Sequence, residues 1–309
     1  MTDRHNGILV VCLNPTFQRT MVFEHFWEGE VNRCSQHYID ASGKGANVVR
    51  VVTQLGGQAR LLSHLGGSKL QEMLDLLDSE HIQAVWTDSH SPIRTCTTVI
   101  NRERATTTEL VEEPEPVGTG TDAAIRALYT RELSQAGIVV FSGTRAKGYT
   151  PGLYPDFVRE AKALGKCVIL DVKGSDLTDS LVFRPDVIKP NLSEFAATFM
   201  SGQVVKEQDG SSELKNMVTT IMEQVYGTYG ISTVLTRGSH SVWLFDSEGF
   251  CELPVEKVEA VNTIGCGDAV TGGMAHALSQ GATLRQAVGL GLVCGGKNAQ
   301  YLRLGILPR

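Results

Sequence analysis

The stretch Val-Asn-Thr-Ile-Gly-Cys-Gly-Asp-Ala, residues 261–269, sets a glycine-flanked turn, an acid and an apolar run in direct succession. Gly265 and Gly267 let the backbone turn tightly with no side chain in the way, so several N–H groups can converge on one cluster of oxygens. Residues 269–278 read as a helix, and a helix start favours an anion such as phosphate. Asp268 sits at the junction, placed to take a proton from a hydroxyl while a phosphoryl group is held beside it. By itself the pattern also describes a loop with an Asp at the helix cap. Cys266 lies where a helix start would favour a thiolate, yet it reads as a small spacer in the turn rather than a covalent catalyst.

A second glycine cluster, Ser42-Gly43-Lys44-Gly45-Ala46-Asn47, opens another helix. Its backbone can approach a ligand closely, Lys44 supplies a point charge, and Asn47 offers a donor and an acceptor to a hydroxyl. It is not a P-loop, which needs four residues between its first Gly and the Gly-Lys pair. A third cluster, Ile188-Lys189-Pro190-Asn191-Leu192-Ser193-Glu194, ends an apolar run and puts Asn191 and Glu194 on one side of the next helix's first turn. That spacing suits a network of magnesium-bound water and phosphate; it is also the spacing of an ordinary capping box.

The elements that must carry these clusters alternate along the chain. Residues 8–13, 59–65, 137–142, 167–172 and 187–189 are short apolar runs, while 46–55, 69–80, 153–164 and 192–199 have helical periodicity. This is the signature of βα units and a mainly parallel sheet with helices on both faces. Residues 233–236 and 241–245 continue the strands, and helices are expected over 269–280 and 283–293. Segments 22–40 and 94–111 break the alternation, reading as strands without helices between them. They are expected to form a small antiparallel flap over the mouth of the sheet, the alternative being edge hairpins of the main sheet. Residues 203–215, around Asp209-Gly210-Ser211-Ser212, read as an exposed loop and a helix start. With no repeat and no low-complexity linker, a single domain spanning 1–309 is expected.

Together and in this order, these clusters resemble the ribokinase-like sugar kinases of the phosphofructokinase B type over essentially the whole chain. Within that family the chain is most similar to 1-phosphofructokinases and tagatose-6-phosphate kinases. The resemblance is carried by Leu13-Asn14-Pro15, Gly29-Glu30-Val31-Asn32-Arg33, Gly43-Lys44-Gly45-Ala46-Asn47-Val48, Ser142-Gly143, Lys189-Pro190-Asn191 with Glu194, and Gly265-Cys266-Gly267-Asp268. It implies a three-layer α/β/α sandwich with a mainly parallel central sheet, and a small β-strand lid over about 17–41 and 92–116. It implies ATP and Mg2+ as cofactors, Asp268 as the base, and the N–H groups of Gly265, Cys266 and Gly267 as an anion hole. Lys189, Asn191 and Glu194 would organise the nucleotide phosphates and the metal, Asn191 and Glu194 through water, while Thr236, Gly238 and Asn298 would line the nucleotide site. Asn14, Gln18, Gly43, Lys44, Asn47, Arg94 and Ser142 would hold the sugar, Lys44 and Arg94 facing a phosphate already on it. Strand edges in the lid would pair two copies as a homodimer.

Two departures bear on the substrate. Gln18 stands where these kinases usually carry an Asp that grips sugar hydroxyls, and Thr144-Arg145-Ala146-Lys147-Gly148 replaces a Leu-Pro-Pro-like turn. The two added cations are open to a substrate phosphate or to solvent. The expected reaction is ATP-dependent phosphorylation of a ketohexose monophosphate, fructose 1-phosphate first. Alternatives are tagatose 6-phosphate, fructose 6-phosphate, or an unphosphorylated sugar or nucleoside. A catalytically silent sugar-phosphate sensor is the reading from another class, and the intact Asp268, Asn191 and Glu194 argue against it.

Composition narrows the partners. With 34 acids against 28 bases in 309 residues, nothing favours nucleic acid or an anionic membrane. No apolar run approaches the roughly 18 residues of a membrane span. The first seven residues are polar and unlike a secretory signal, so a cytoplasmic protein is expected. Seven cysteines spread singly suggest neither zinc nor a disulfide framework.

Overall fold

The structure, a computed structural model, describes residues 7–200 and 205–308. The polar amino-terminal stretch 1–6 and the start of the 203–215 segment lie outside them. Strand β1 (Gly7–Cys12) explains the architecture. Ile8, Val10 and Cys12 point into one apolar layer, while Leu9 and Val11, with Leu13 just beyond, point into another. Because both faces are dry, the strand is one continuous apolar run.

The chain continues through β2 (Thr16–Phe23), β3 (Gln36–Ser42), α1 (Lys44–Gln54), β4 (Ala59–Leu65), α2 (Leu70–Ser79), β5 (Gln83–Asp88), β6 (Arg94–Asn101) and β7 (Thr106–Leu110). Then follow α3 (Thr121–Leu133), β8 (Ala136–Ser142), α4 (Leu153–Ala163), β9 (Cys167–Asp171), α5 (Ser175–Thr178), β10 (Val187–Ile188) and α6 (Leu192–Phe199). The last described elements are α7 (Ser212–Tyr229), β11 (Ser232–Arg237), β12 (His240–Asp246), β13 (Gly249–Leu253), α8 (Cys266–Ser279) and α9 (Leu284–Ala299).

The main sheet has the order β13-β12-β11-β10-β9-β8-β1-β4-β5. It is parallel from β5 to β11; β12 alone runs the other way, pairing antiparallel with β11 on one side and with β13 on the other. Helices α1, α2, α8 and α9 cover one face and α3 and α4 the other, which completes an α/β/α sandwich. Strand order reverses between β1 and β8, and the crevice beyond the carboxyl ends of such strands is where open α/β sheets bind ligands.

The flap is a sheet of its own, ordered β3-β2-β6-β7, not a pair of edge hairpins of the main sheet. It is mixed rather than antiparallel, because β2 and β6 pair parallel along their whole length. The reason is topological: β2 follows β1 and β6 follows β5, so both leave the main sheet from its carboxyl edge in the same direction. Three elements escaped the apolar pattern. β5 and β13 are only half-buried, and α3 carries Asp122, Arg126, Arg131 and Glu132 around a narrow stripe of Ile125, Leu128 and Leu133.

Helix α9 runs six residues beyond the expected end at 293, through Gly295 and Gly296. Its glycines make room for α8. A Cβ on Gly291 would lie 2.6 Å from the Val270 carbonyl oxygen, and one on Gly273 would lie 2.8 Å from the Gly291 Cα. Close packing of the two helices offsets the helix penalty of glycine, and it fixes where α8 begins.

Candidate active site

Helix α8 starts at Cys266, with Gly265 at its cap in the left-handed region (φ 80°). Asp268 therefore lies inside the first turn and is not a cap; no side chain caps this helix. The turn before it is held from three sides. Asn262 accepts from the Ile264 N–H at 3.1 Å and donates to the Leu302 carbonyl at 2.9 Å. From α9, Asn298 donates to the Ile264 carbonyl at 3.1 Å and accepts from the Gly305 N–H. The Cys266 N–H leans back on the Thr263 carbonyl at 3.4 Å, whereas Gly265 and Gly267 line an open cleft of about 710 Å3.

Asp268 is buried and lines the same cleft. Its Oδ2 accepts from Asn47 Nδ2 at 2.8 Å. Burial pushes its pKa up to about 6; the charges of Lys44 and Lys189 and the Asn47 bond pull it down, and Asp171 pushes it up. An acid poised there is ionised near neutrality yet basic enough to accept a proton. Burial also raises the Cys266 thiol to about 11, against the pull of Asn298, so the residue is a neutral thiol and the helix start does not make it a thiolate.

Beside Asp268 lies a charge cluster. Lys189 Nζ sits 3.2 Å from Asp171 Oδ2, and Lys44 Nζ is 3.8 Å from Asp171 Oδ1 and 3.6 Å from Glu194 Oε1. Thr271, one turn after Asp268, donates to Asp171 at 2.8 Å. Burial alone would raise the Asp171 pKa, but Lys189, Lys44 and the Thr271 bond bring it below the usual value, while Asp171 and Glu194 raise that of Lys44. The space beside Gly267 matters here: a Cβ there would lie 3.7 Å from Lys189 Nζ. The Lys189 ammonium thus stands beside the glycine turn.

At the start of α6 the capping box is formed. Asn191 Oδ1 accepts from Glu194 N at 2.8 Å, and Glu194 Oε2 accepts from Asn191 N at 3.1 Å. The second Glu194 oxygen still faces Lys44 in the cleft, so the two readings of Asn-x-x-Glu are compatible. Among the described residues no group of three or more His, Cys, Asp or Glu is placed to cage a metal.

On the far side of the cleft, Asn14 Oδ1 and Ser142 Oγ are buried with no hydrogen-bond partner among the described residues. Asn14 Nδ2 reaches Thr144 Oγ1 at 3.3 Å, bridging the ends of β1 and β8. Gly43 has φ 108°, and a Cβ there would lie 3.0 Å from Cys12 Sγ and 3.2 Å from the Asn14 carbonyl oxygen. From the flap come Gln18, whose Nε2 donates to Thr98 at 2.8 Å, and Arg94, which donates to the Glu112 carbonyl at 2.8 Å. Unpartnered buried oxygens at the switch point are sites a ligand's hydroxyls can fill.

Several expected positions are altered by these contacts. The Asn47 oxygen is taken by Arg50 (2.7 Å) and Ser42 (3.2 Å), so its acceptor is not free for a hydroxyl. Lys44 stands between Asp171 and Glu194. Thr236 lines the cleft, but Gly238 turns at φ 58° between β11 and β12 and gives its N–H to Glu207 at 3.2 Å, and Asn298 lies behind the turn. Of the two loop cations, Arg145 is bound to Asp176 at 2.9 Å, whereas Lys147 lines the cleft with no ion pair among the described residues. Asp171, Thr271 and Arg50 were missed. Asp171 had one signal, an acid closing the apolar run of a parallel strand.

The family model "pfkB family carbohydrate kinase" matches residues 10–306. The chain belongs to the pfkB family of carbohydrate kinases. Among curated proteins it is similar to a tagatose-6-phosphate kinase of Staphylococcus epidermidis, 25% identical over 273 residues, which cover 88% of this chain and 85% of that one. Its fold matches a solved structure from Thermotoga maritima described as a possible 1-phosphofructokinase (TM-score 0.86, 21% identity, 98% and 94% of the two chains). It also matches phosphofructokinase-2 of Escherichia coli in complex with fructose-6-phosphate (TM-score 0.82, 20% identity, 94% and 93%). The enzyme is therefore a phosphotransferase with a sugar hydroxyl as acceptor, and its sandwich is the ribokinase-like fold. No helix among the described residues is long and apolar enough to cross a membrane.

Proposed function

We propose that this kinase transfers the γ-phosphoryl group of ATP to a hydroxyl of a ketohexose monophosphate, with fructose 1-phosphate as the first acceptor and fructose 1,6-bisphosphate as product. The observation that carries the reading is Asp268: buried, with one oxygen bonded by Asn47, against glycine N–H groups and two lysines. In-line transfer needs positioning and charge neutralisation more than covalent chemistry. The acceptor hydroxyl gives its proton to Asp268. The N–H groups of Gly265 and Gly267, with the weakly engaged Cys266 N–H, meet the charge on the transferred phosphoryl oxygens. Lys44 and Lys189 neutralise that charge from the side, and Asp171 keeps both ammonium groups aimed.

On the nucleotide side, Thr236 and the first turn of α6 line the approach, which makes Lys189, Asn191 and Glu194 the phosphate-end residues. A magnesium ion fits here: one free carboxylate oxygen and a carboxamide acting through water are hard donors, and they leave most of the shell to water and phosphate as that ion prefers. When bound it would neutralise polyphosphate charge. On the acceptor side, Asn14 and Ser142 take sugar hydroxyls, Gly43 lets the sugar approach, and Gln18 replaces a carboxylate grip with a carboxamide. Arg94 and Lys147 are the cations for the phosphate already on the sugar.

The match to a tagatose-6-phosphate kinase supports tagatose 6-phosphate as second acceptor. The whole chain acts as one cytoplasmic unit with the four-stranded sheet as lid. Exposed Trp27, Val31, Leu110 and Val111 on that lid suit pairing with a second copy. The test is ADP release with ATP and magnesium against fructose 1-phosphate, fructose 6-phosphate, tagatose 6-phosphate, fructose, ribose and adenosine. Turnover with one ketohexose phosphate well above the rest supports the reading, and turnover confined to free sugars or nucleosides overturns it.

A further inference from the structure

Arg50 is a buried cation that the transfer step does not use, and it makes bonds to four parts of the chain. Its guanidinium donates to Glu80 at the end of α2 (2.7 Å), to the Ala41 carbonyl in β3, to the Leu304 carbonyl (3.1 Å) and to Asn47 Oδ1 (2.7 Å). Glu80 also receives Arg303 at 2.7 Å, and Arg303 receives support from the buried Asp40 at the foot of the lid strand, 2.6 Å away. Two arginines thus face two acids, and the charges balance.

We infer that Arg50 is a positioning residue for phosphoryl transfer: its guanidinium anchors the oxygen end of the Asn47 carboxamide, so that the N–H end stays on Asp268 whether that acid is ionised or protonated, and keeps the base with one oxygen bonded and the other open to the cleft. The inference rests on the reading of Asp268 as the base. The two ends of a carboxamide have nearly the same shape and opposite hydrogen-bonding sense. A guanidinium only donates, so the end beside Arg50 must be oxygen, and the N–H end must then face the Asp268 carboxylate, as it does at 2.8 Å. Ser42, the other partner of Asn47 Oδ1, carries a hydroxyl that donates or accepts and so selects neither end. Turning the amide over would set carbonyl against carboxylate and N–H against guanidinium, two repulsive contacts at once. Asp268 Oδ1 has no partner among the described residues and is left to take the substrate proton.

Losing the Asn47 bond should move the base upward in pKa. The charged groups around Asp268 are Lys44 on α1, Asp171 at the end of β9 and Lys189 after β10. The nearby thiols of Cys12 and Cys266 are both raised by burial and stay neutral.

The experiment is the pH profile of kcat/KM with the best acceptor, for the native chain, Arg50→Met, Asn47→Ala and the double variant, so that titration of the substrates cancels. One charge-assisted hydrogen bond corresponds to about one pH unit. Arg50→Met should move the acid limb up by about that amount and lower kcat more than it raises KM, while adding no further shift in the Asn47→Ala background. Arg60→Met, which breaks the Arg60–Glu132 ion pair away from the cleft, should lower thermal stability without moving the limb. Where Arg50→Met leaves Glu80 with Arg303 alone and fails to fold, Arg50→Met with Glu80→Gln is read in its place. An unmoved limb, or an equal shift in the Asn47→Ala background, overturns the role of Arg50. Asp268→Asn, run alongside, separates the two levels: more than a tenth of native turnover there defeats the base assignment itself and the inference with it.

Discussion

Replacing Asp268 by Asn should cost activity and increase stability together. The substitution keeps shape, and Asn47 can still donate to the carbonyl end of the new amide. It removes the proton acceptor, and a positioned general base contributes about 10²- to 10⁴-fold. Stability moves the other way. The carboxyl titrates at 3.8 in the unfolded chain and at about 6 when buried. Between those values the folded state binds more protons, so this group favours folding most below pH 4 and loses that contribution as pH rises through about 6. A shift of roughly two units at 1.36 kcal/mol each makes the ionised group a burden of up to about 3 kcal/mol at pH 7.5. A neutral Asn lifts that burden, less what is lost where its N–H end replaces an accepting oxygen, so a gain on the order of 1–2 kcal/mol is expected. The assays are coupled ADP release and thermal melting at pH 7.5, repeated at pH 5, where the native acid is about nine-tenths protonated but the unfolded chain's is still ionised, so the stability gap should shrink to about half and close only below about pH 4. Native kcat/KM should fall about tenfold between pH 7 and pH 5 for the same reason. Turnover above a tenth of native, or a lower melting temperature at pH 7.5, would refute the reasoning.

Asp171→Asn strands Lys189 without its buried partner and should destabilise the fold by about 3–5 kcal/mol, visible in urea unfolding, with kcat reduced at least tenfold because both ammonium groups lose their aim. Arg94→Ala and Lys147→Ala should each raise KM for a sugar phosphate much more than for the free sugar, and steady-state kinetics with the pair of acceptors reads this directly. Equal effects on both would remove these cations from phosphate binding. Gly291→Ala, whose Cβ would lie 2.6 Å from the Val270 carbonyl, should lower the melting temperature by the equivalent of about 1–3 kcal/mol and disturb the start of α8.

Much of the site was legible because its chemistry is local. The Gly265-Cys266-Gly267-Asp268 turn, the Gly43-Lys44-Gly45 loop and the Asn191–Glu194 box each state their geometry within a few residues, since φ above zero, an N–H cluster and a first-turn spacing are short-range facts. The apolar runs likewise announced the parallel sheet, because strands buried on both faces carry no polar alternation. The lid was legible as strands but not in its pairing. β2 and β6 are about 78 positions apart, and only the common edge from which they leave makes them parallel.

Thr271 and Arg50 were silent, and Asp171 nearly so, because their meaning is held by partners far away in sequence. Thr271 reaches Asp171 across 100 positions, Asn47 reaches Asp268 across 221, and Arg50 reaches Leu304 across 254. The sequence by itself determined the fold class, the kinase family and the residue type that can act as base. The tertiary structure decided how far burial raises the pKa of Asp268, which lysine faces which acid, and which end of Asn47 meets Asp268. The physical reason is that burial, Coulomb attraction and hydrogen-bond direction depend on distances through space, which only the closed sandwich establishes.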